Sequence, residues 1–194
     1  MLPSERHSAA IASFLAGRLG DVTRLRLATV DDAAFLLSLR LDSSRNQNIS
    51  ATSPHLDDQV AWMRSYGSRF AAGLEAYFII EGFGEAQGSL RLYDYLPEND
   101  SFCWGSWMIR PGVSPSTAFQ SLILAYDLAF GSLSFDRARF DVRKANVSVW
   151  KFHEKMGAKM VREDSLNRFY ECSAEDYRIA RPWLHRFAQM KFSA

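Results

Sequence analysis

Apolar and polar positions change period several times along this chain of 194 residues, and each change marks an element. Leu25 and Leu27 alternate with Arg24 and Arg26, the period of a strand with one buried face, so Thr23 to Ala28 is predicted as a first strand. Thr29 then caps a helix from Asp32 to Leu41, with acidic residues where the helix dipole favours them. The polar run from Asp42 to Pro54 predicts a loop. A second helix is expected from about Leu56 to Phe70, with Val60, Met63 and Gly67 on one side and Trp62 and Tyr66 on an adjoining one. Three apolar strands follow at Ala76 to Glu81, Gln87 to Leu96 and Ser101 to Ile109. They are divided by Gly82-Phe-Gly84 and Pro97-Glu-Asn-Asp100, both of which are turn chemistry. A long helix covers Ser116 to Phe130, its face set by Phe119, Leu122, Ile123, Tyr126 and Phe130.

The sharpest switch comes next. Ala138, Phe140 and Val142 alternate with Arg139, Asp141 and Arg143, and after Asn146 the period becomes helical. Val149, Phe152, His153 and Met156 then form one apolar stripe, stopped by Gly157. Short strands at Lys159 to Arg162 and Arg168 to Cys172 lead to a terminal helix, Ala174 to Lys191, whose start Ser173-Ala-Glu-Asp176 resembles a capping box. Its Trp183, Leu184, Phe187 and Met190 either cover the sheet or form a dimer contact. Residues 1–21 hold one short helix around Ser8 to Leu19, read as an N-terminal extension available to a partner subunit. This order implies an α/β (α+β) fold, a mixed sheet covered by helices on both faces.

Composition narrows the reading. Hydrophobic residues make up 47% and aromatics 13%, enough for one substantial core, so residues 22–194 are expected to form a single domain. The 23 basic and 22 acidic residues leave a net charge of +1, which gives no electrostatic reason to expect a nucleic acid or a membrane as partner. Cys103 and Cys172 lack the spacing of a disulfide framework or a metal site, so no metal is expected. No apolar run approaches the roughly 20 residues of a bilayer span, and the first residues lack a secretory pattern. The expected location is cytoplasmic.

The segment from Asn146 to Gly157 resembles the last core motif of the GNAT N-acetyltransferases. That motif has an Asn, a small residue three places on, a Tyr at seven and a Gly at eleven; here these are Asn146, Val149, His153 and Gly157. The element order from residue 23 to 172 also matches the family, which implies its mostly antiparallel twisted sheet, with the terminal helix as an addition. The resemblance further implies direct transfer of an acetyl group from acetyl-CoA to a primary amine. The cofactor pyrophosphate would rest at the start of the central helix, where unpaired N–H groups and the dipole favour an anion.

The family loop there reads Arg/Gln-x-x-Gly-x-Gly/Ala, whereas an alignment from Pro111 brings Ser114, Thr117 and Phe119 to those places. Two readings follow. Ser114, Ser116, Thr117 and the Ala118 backbone form a less typical phosphate cradle, with Arg110 or Arg143 offsetting charge. Or these residues only cap a helix, with Pro115 in its first turn, and cofactor binding is weak or gone. By the same resemblance, the strand containing Trp107, Met108 and Ile109 parts from its neighbour to admit the pantetheine arm. A backbone N–H near Trp107 or Met108 would then polarise the thioester carbonyl. Asn146 would touch that arm and also cap its helix. His153, in the tyrosine place, would protonate the departing thiolate, being available in both protonation states near neutral pH; the plainer reading makes it a packing residue.

The residues offer several bases. Alternation puts Arg91, Tyr93 and Tyr95 on one strand face and Asp94 with Leu90 and Leu92 on the other, which makes Asp94 the first candidate. Glu75, His55 and a water relay are others. The polar loop supplies Arg45, Asn46 and Asn48 to an acceptor pocket, with Trp62 as a stacking face and Tyr93 nearby. In this stretch the chain resembles GNAT enzymes that acetylate amino sugars on nucleotide carriers. The implied acceptor is a small-molecule amine; a protein N-terminus or lysine is the rival substrate. A non-catalytic ligand-binding or assembly module with a degenerate phosphate loop is the rival class.

Overall fold

A computed structural model describes residues 3–18, 21–44 and 46–189, so Arg45 lies outside the described residues. Helix α1 (Pro3–Ala16) precedes β1 (Thr23–Leu27), and a tight turn at Val30–Asp32 opens α2 (Ala33–Leu41). After the polar loop come α3 (Leu56–Ala71) and three strands, β2 (Ala76–Gly82), β3 (Glu85–Leu96) and β4 (Ser101–Ile109). Helix α4 (Pro115–Tyr126) crosses over to β5 (Arg137–Arg143), and α5 (Val147–Lys155), β6 (Lys159–Glu163), β7 (Asn167–Ser173) and α6 (Ala174–Gln189) complete the fold.

The seven strands form one open sheet in the order β1-β2-β3-β4-β5-β7-β6. Five of its ladders are antiparallel; β4 and β5 pair in parallel. Strand β2 shows why the sheet is covered on both sides. Phe78 and Ile80 enter the main core with Leu25, Leu90, Leu92, Phe102 and Leu122. Tyr77 and Ile79 point the other way and pack with Leu36, Met63 and Tyr66 of α2 and α3. A strand buried on both faces has no polar alternation, which is why Ala76 to Ile80 reads as a continuous apolar run.

Helix α1 does not stand apart as an extension. Its Ile11 is 2% exposed within the main core, and the ring of His7 meets Tyr95 and Phe135. Helix α4 also ends earlier than its apolar stripe suggests, in a wide turn at Asp127–Ser132. There Asp127 accepts two bonds from Arg181, each 2.8 Å, and one from the Tyr177 hydroxyl at 2.7 Å, tying α4 to α6. The start of α6 is the expected capping box, with the Ser173 and Asp176 side chains each accepting from the other's backbone N–H. Among the described residues, no helix is long and apolar enough to cross a membrane.

Candidate active site

The parallel pairing of β4 with β5 is short. Ser101, Phe102 and Cys103 pair with Arg137, Ala138 and Arg139, and beyond them the strands part. From Trp104 onward the β5-facing edge of β4 therefore has no ladder partner. A bulge sharpens the parting. Met108 pairs with Ser89 and Gly105 with Arg91, so two residues, Ser106 and Trp107, stand opposite one. Ser106 is left-handed at φ 49°, and its carbonyl accepts from the Ser89 hydroxyl at 2.9 Å. Gly88 lets the bulge approach, since a Cβ there would lie 2.3 Å from the Met108 carbonyl oxygen.

Two clefts meet at this opening. The narrower, about 140 Å³, lies between the parted strands and is lined by Trp104, Trp107, Phe140, Val142, Asn146, Val149 and His153. The wider, about 540 Å³, lies on the α2/α3 side and is lined by Arg40, Asn48, Ser50, Gln59, Trp62, Arg91, Tyr93 and Asn167. Asn48, Ile49, Trp104, Gly105, Ser106, Asp141 and Arg143 line both. They mark the junction.

Several sequence-predicted residues come together here. Met108 and Tyr93 line the wider cleft, and burial pushes the Tyr93 hydroxyl up to about 12. Trp107 lines the narrower one while its indole N–H donates to Ser121 Oγ at 3.1 Å. Asn146 lines it too, but the cap expected of its side chain is not made: it begins α5 without a capping bond. Trp62 is in place, yet its ring already carries the guanidinium groups of Arg69 at 5.0 Å and Arg91 at 5.2 Å, with Tyr66 lying parallel. Among the loop residues Asn48 reaches the clefts and Asn46 does not; Ile109, at the end of β4, lines neither.

His153 is present but not in the expected state. It is 3% exposed, enclosed by Phe140, Phe152 and Trp104 at 4.5, 5.3 and 5.5 Å between ring centroids. Burial lowers its pKa to about 3, so the imidazole is neutral throughout the physiological range and not poised between two protonation states. Its Nδ1 is buried without a hydrogen-bond partner, as is the indole nitrogen of Trp104 beside it.

Asp94 falls outside the site. It sits at a second irregularity of the β3–β4 ladder, left-handed at φ 48°, exposed, and lining neither cleft. The extra residue there shifts the alternation by one, so Tyr95 leaves the face of Tyr93 and packs on Phe135 at 5.0 Å. The other candidate bases fare no better. Glu75 is 3% exposed and spent on Arg69 and Arg91, and His55 is exposed ahead of α3. The carboxylate that does line both clefts is Asp141, which in the sequence is only the polar half of an alternating strand.

Ser114, Ser116, Thr117 and Ala118 begin α4 and line neither cleft. Ser114 caps the helix, its Oγ accepting from the Ser116 N–H at 3.3 Å, with Pro115 in the first turn. Phe119 does not block the helix end; it packs sideways on Phe152 and Phe187 at 5.8 and 5.5 Å. Arg110 turns toward Glu85 at 3.5 Å.

Comparison with known proteins agrees with this architecture. A GNAT acetyltransferase domain model matches residues 23–159. The apo structure of FdhC, described as a nucleotide-linked sugar GNAT, is 35% identical with a TM-score of 0.78, over 87% of this chain and 96% of that one. A spermidine N-acetyltransferase SpeG variant from Vibrio cholerae shares the fold at 16% identity and TM-score 0.65, over 81% and 97% of the two chains. Mycobacterium smegmatis RimJ, in complex with CoA-disulfide, does so at 16% and 0.67, over 83% and 88%. A search of curated protein sequences gave no match. With most of its length covered by the domain model and by a solved relative at 35% identity, the chain belongs to the GNAT acetyltransferase family.

Proposed function

We propose that this protein is a cytoplasmic acetyl-CoA-dependent N-acetyltransferase that acts directly on the primary amine of a small molecule, an amino sugar on a nucleotide carrier being the favoured acceptor. The observation that carries the reading is the junction at the parted strands, where a neutral aromatic crevice and a polar cleft share Gly105, Ser106 and Asp141. The 35% identical nucleotide-linked sugar GNAT supports the choice of acceptor class. That Cys103 and Cys172 are both free agrees with a reducing compartment.

The crevice suits an acyl-thioester arm on three counts. It is walled by rings, it runs along a strand edge with no ladder partner, and it contains buried polar atoms without partners. Acetyl-CoA supplies an activated carbonyl. The chain's own groups then have separate tasks. The unpaired β4 backbone near Trp107 and Met108 offers an N–H to the carbonyl oxygen. Asp141 receives the acceptor's ammonium group and takes its first proton, leaving a lone pair for attack. As the C–N bond forms and the C–S bond breaks, the nitrogen sheds its second proton. One proton ends on sulfur and one in solvent. His153 serves as a neutral imidazole, shaping the crevice and offering an N–H to the sulfur; an imidazolium there is opposed by burial. At the start of α4, the Ser114 and Ser116 hydroxyls form the phosphate cradle; the Thr117 N–H is already donated to the Ser114 carbonyl at 3.0 Å.

A thiol-release assay over amino sugars, polyamines and peptides tests the reading. Release with an amine-bearing sugar, lost in Asp141→Asn while cofactor binding persists, is the expected result. No release with any amine would leave the non-catalytic module as the account of the fold, and release with peptides alone would favour the protein-modifying reading.

A further inference from the structure

The charges of the wider cleft are one-sided. Three guanidinium side chains, those of Arg40, Arg91 and Arg143, face it, and Asp141 is the one carboxylate among its described lining residues. Two of the three are fixed before any ligand arrives. Arg91 is bonded through Nε at 2.6 Å to Glu75, which also receives Arg69, and it stacks between Trp62 and Tyr93 at 5.2 and 4.6 Å. Arg40 donates from Nη2 to both the carbonyl and the hydroxyl of Ser50, each at 3.1 Å. Arg143 makes no ion pair with any described residue; the carboxylates of Glu154 and Glu163 on flanking elements pair with Arg168 and Lys144 instead. The cleft thus holds a preset cationic wall and one unspent guanidinium at the junction.

Resting on the acetyltransferase reading, we infer that the cleft selects a zwitterionic acceptor, with its ammonium group on Asp141 and a phosphate-type anion on Arg143, backed by Arg40 and Arg91. The arrangement follows from placement. Asp141 stands where both clefts meet, so an amine docked there faces the crevice, and the rest of the acceptor must extend into the wider cleft along the arginines. A guanidinium fork matches a phosphate with two parallel bonds. The cleft volume of about 540 Å³ falls within the usual size of small-molecule pockets. A polyamine carries positive charge along its whole length and meets three like charges here.

Phosphate groups could come from the acceptor or from the cofactor, so the test fills the cofactor site first. Uridine diphosphate and inorganic pyrophosphate are titrated calorimetrically into protein saturated with CoA. The expected result is saturable one-to-one binding, weakened at least about 10-fold by Arg143→Gln and not competed by spermidine. In turnover, glucosamine 6-phosphate is expected to exceed glucosamine in kcat/KM by about 10-fold or more. That preference should shrink in Arg143→Gln, whereas Asp141→Asn lowers both. The inference is overturned if neither anion binds, if Arg143→Gln binds them as well as wild type, or if spermidine and glucosamine turn over as fast as the phosphorylated sugar; thiol release in those cases still leaves the acetyltransferase reading standing. Should CoA itself fail to bind, the same titration without cofactor decides, and anion binding that Arg143→Gln removes supports the cleft's charge selectivity even as the enzymatic reading falls.

Discussion

The two clefts share a wall but differ in their treatment of charge. In the wider one, each charged side chain is paired, hydrogen-bonded or open to solvent: Arg91 on Glu75, Arg40 on Ser50, Asp141 exposed. In the narrower one, His153 is so enclosed by Trp104, Phe140 and Phe152 that its charge is expelled. The two clefts meet at Asp141 and Arg143, yet beyond that junction one is lined by Arg40 and Arg91 and the other by Trp107, Phe140 and His153. The lesson is one of division: the wider cleft presents charged side chains, and the narrower one is walled by rings around a neutral imidazole.

The largest expected effect comes from breaking the charged side. Glu75 has a 2% exposed side chain between two arginines at 32% and 22%. Replacing it with Ala leaves both guanidinium groups without their carboxylate, at a cost of about 3 kcal/mol, since removing one member of a buried ion network exposes the desolvation penalty of the rest. Urea unfolding at pH 7 measures this, and a loss below about 1 kcal/mol would show that Glu75 does not hold the arginine wall. Acceptor KM should rise in the same variant while CoA affinity changes little.

The neutral side is tested by pH. A histidine whose folded pKa is about 3, against 6.5 unfolded, is bare in the folded chain while the unfolded chain takes up a proton. Its contribution is therefore full above pH 6.5 and is lost as pH falls from 6.5 toward 3. Wild type should lose about 2 kcal/mol between pH 7 and 5 from this group alone. His153→Phe should flatten the curve in that window, where Asp32, Glu81 and Asp127, with pKa values lowered by their arginine partners against the opposing effect of burial, do not yet titrate. An unchanged slope in the variant would place the charged imidazole back in play.

The smallest effect is expected at the helix start. Ser114→Ala removes the cap on α4 and should cost about 1 kcal/mol in thermal or chemical unfolding. If the same hydroxyl belongs to the phosphate cradle, CoA affinity should fall about 5-fold, equivalent to one hydrogen bond of about 1 kcal/mol. Unaltered affinity would reduce this end of the helix to a cap.

Much of the fold was legible in the chain because its signals are local. The period switch at Asn146, the capping box at Ser173 and the turn glycines each act within a few residues, and their elements form at the expected places. The cleft walls were legible where they coincide with such a motif, as at Asn146, Val149 and His153, and at scattered positions outside it, as at Asn48, Trp62, Tyr93, Trp107 and Met108. The rest depends on distant partners. Nothing near His153 announces that Trp104 and Phe140 will enclose it. The left-handed Ser106 and Asp94 are held by strand pairing rather than by their own preference, so no glycine at either position flags the bulges that open the sheet and turn Tyr95 away. Asp141 was visible only as the polar half of an alternation, because its importance arises from the parting of β4 and β5 beside it. The packing of helix α1 into the core, though not the helix itself, escaped notice for a related reason: Ile11 finds its neighbours in strands far along the chain.

The central claim is that the gap between β4 and β5 receives an acyl thioester. Titrating acetyl-CoA while following the melting transition tests it most directly. At about 100 times the dissociation constant the folded state should gain roughly 2.7 kcal/mol, a readily seen upward shift. A transition that does not move at millimolar acetyl-CoA would contradict the account.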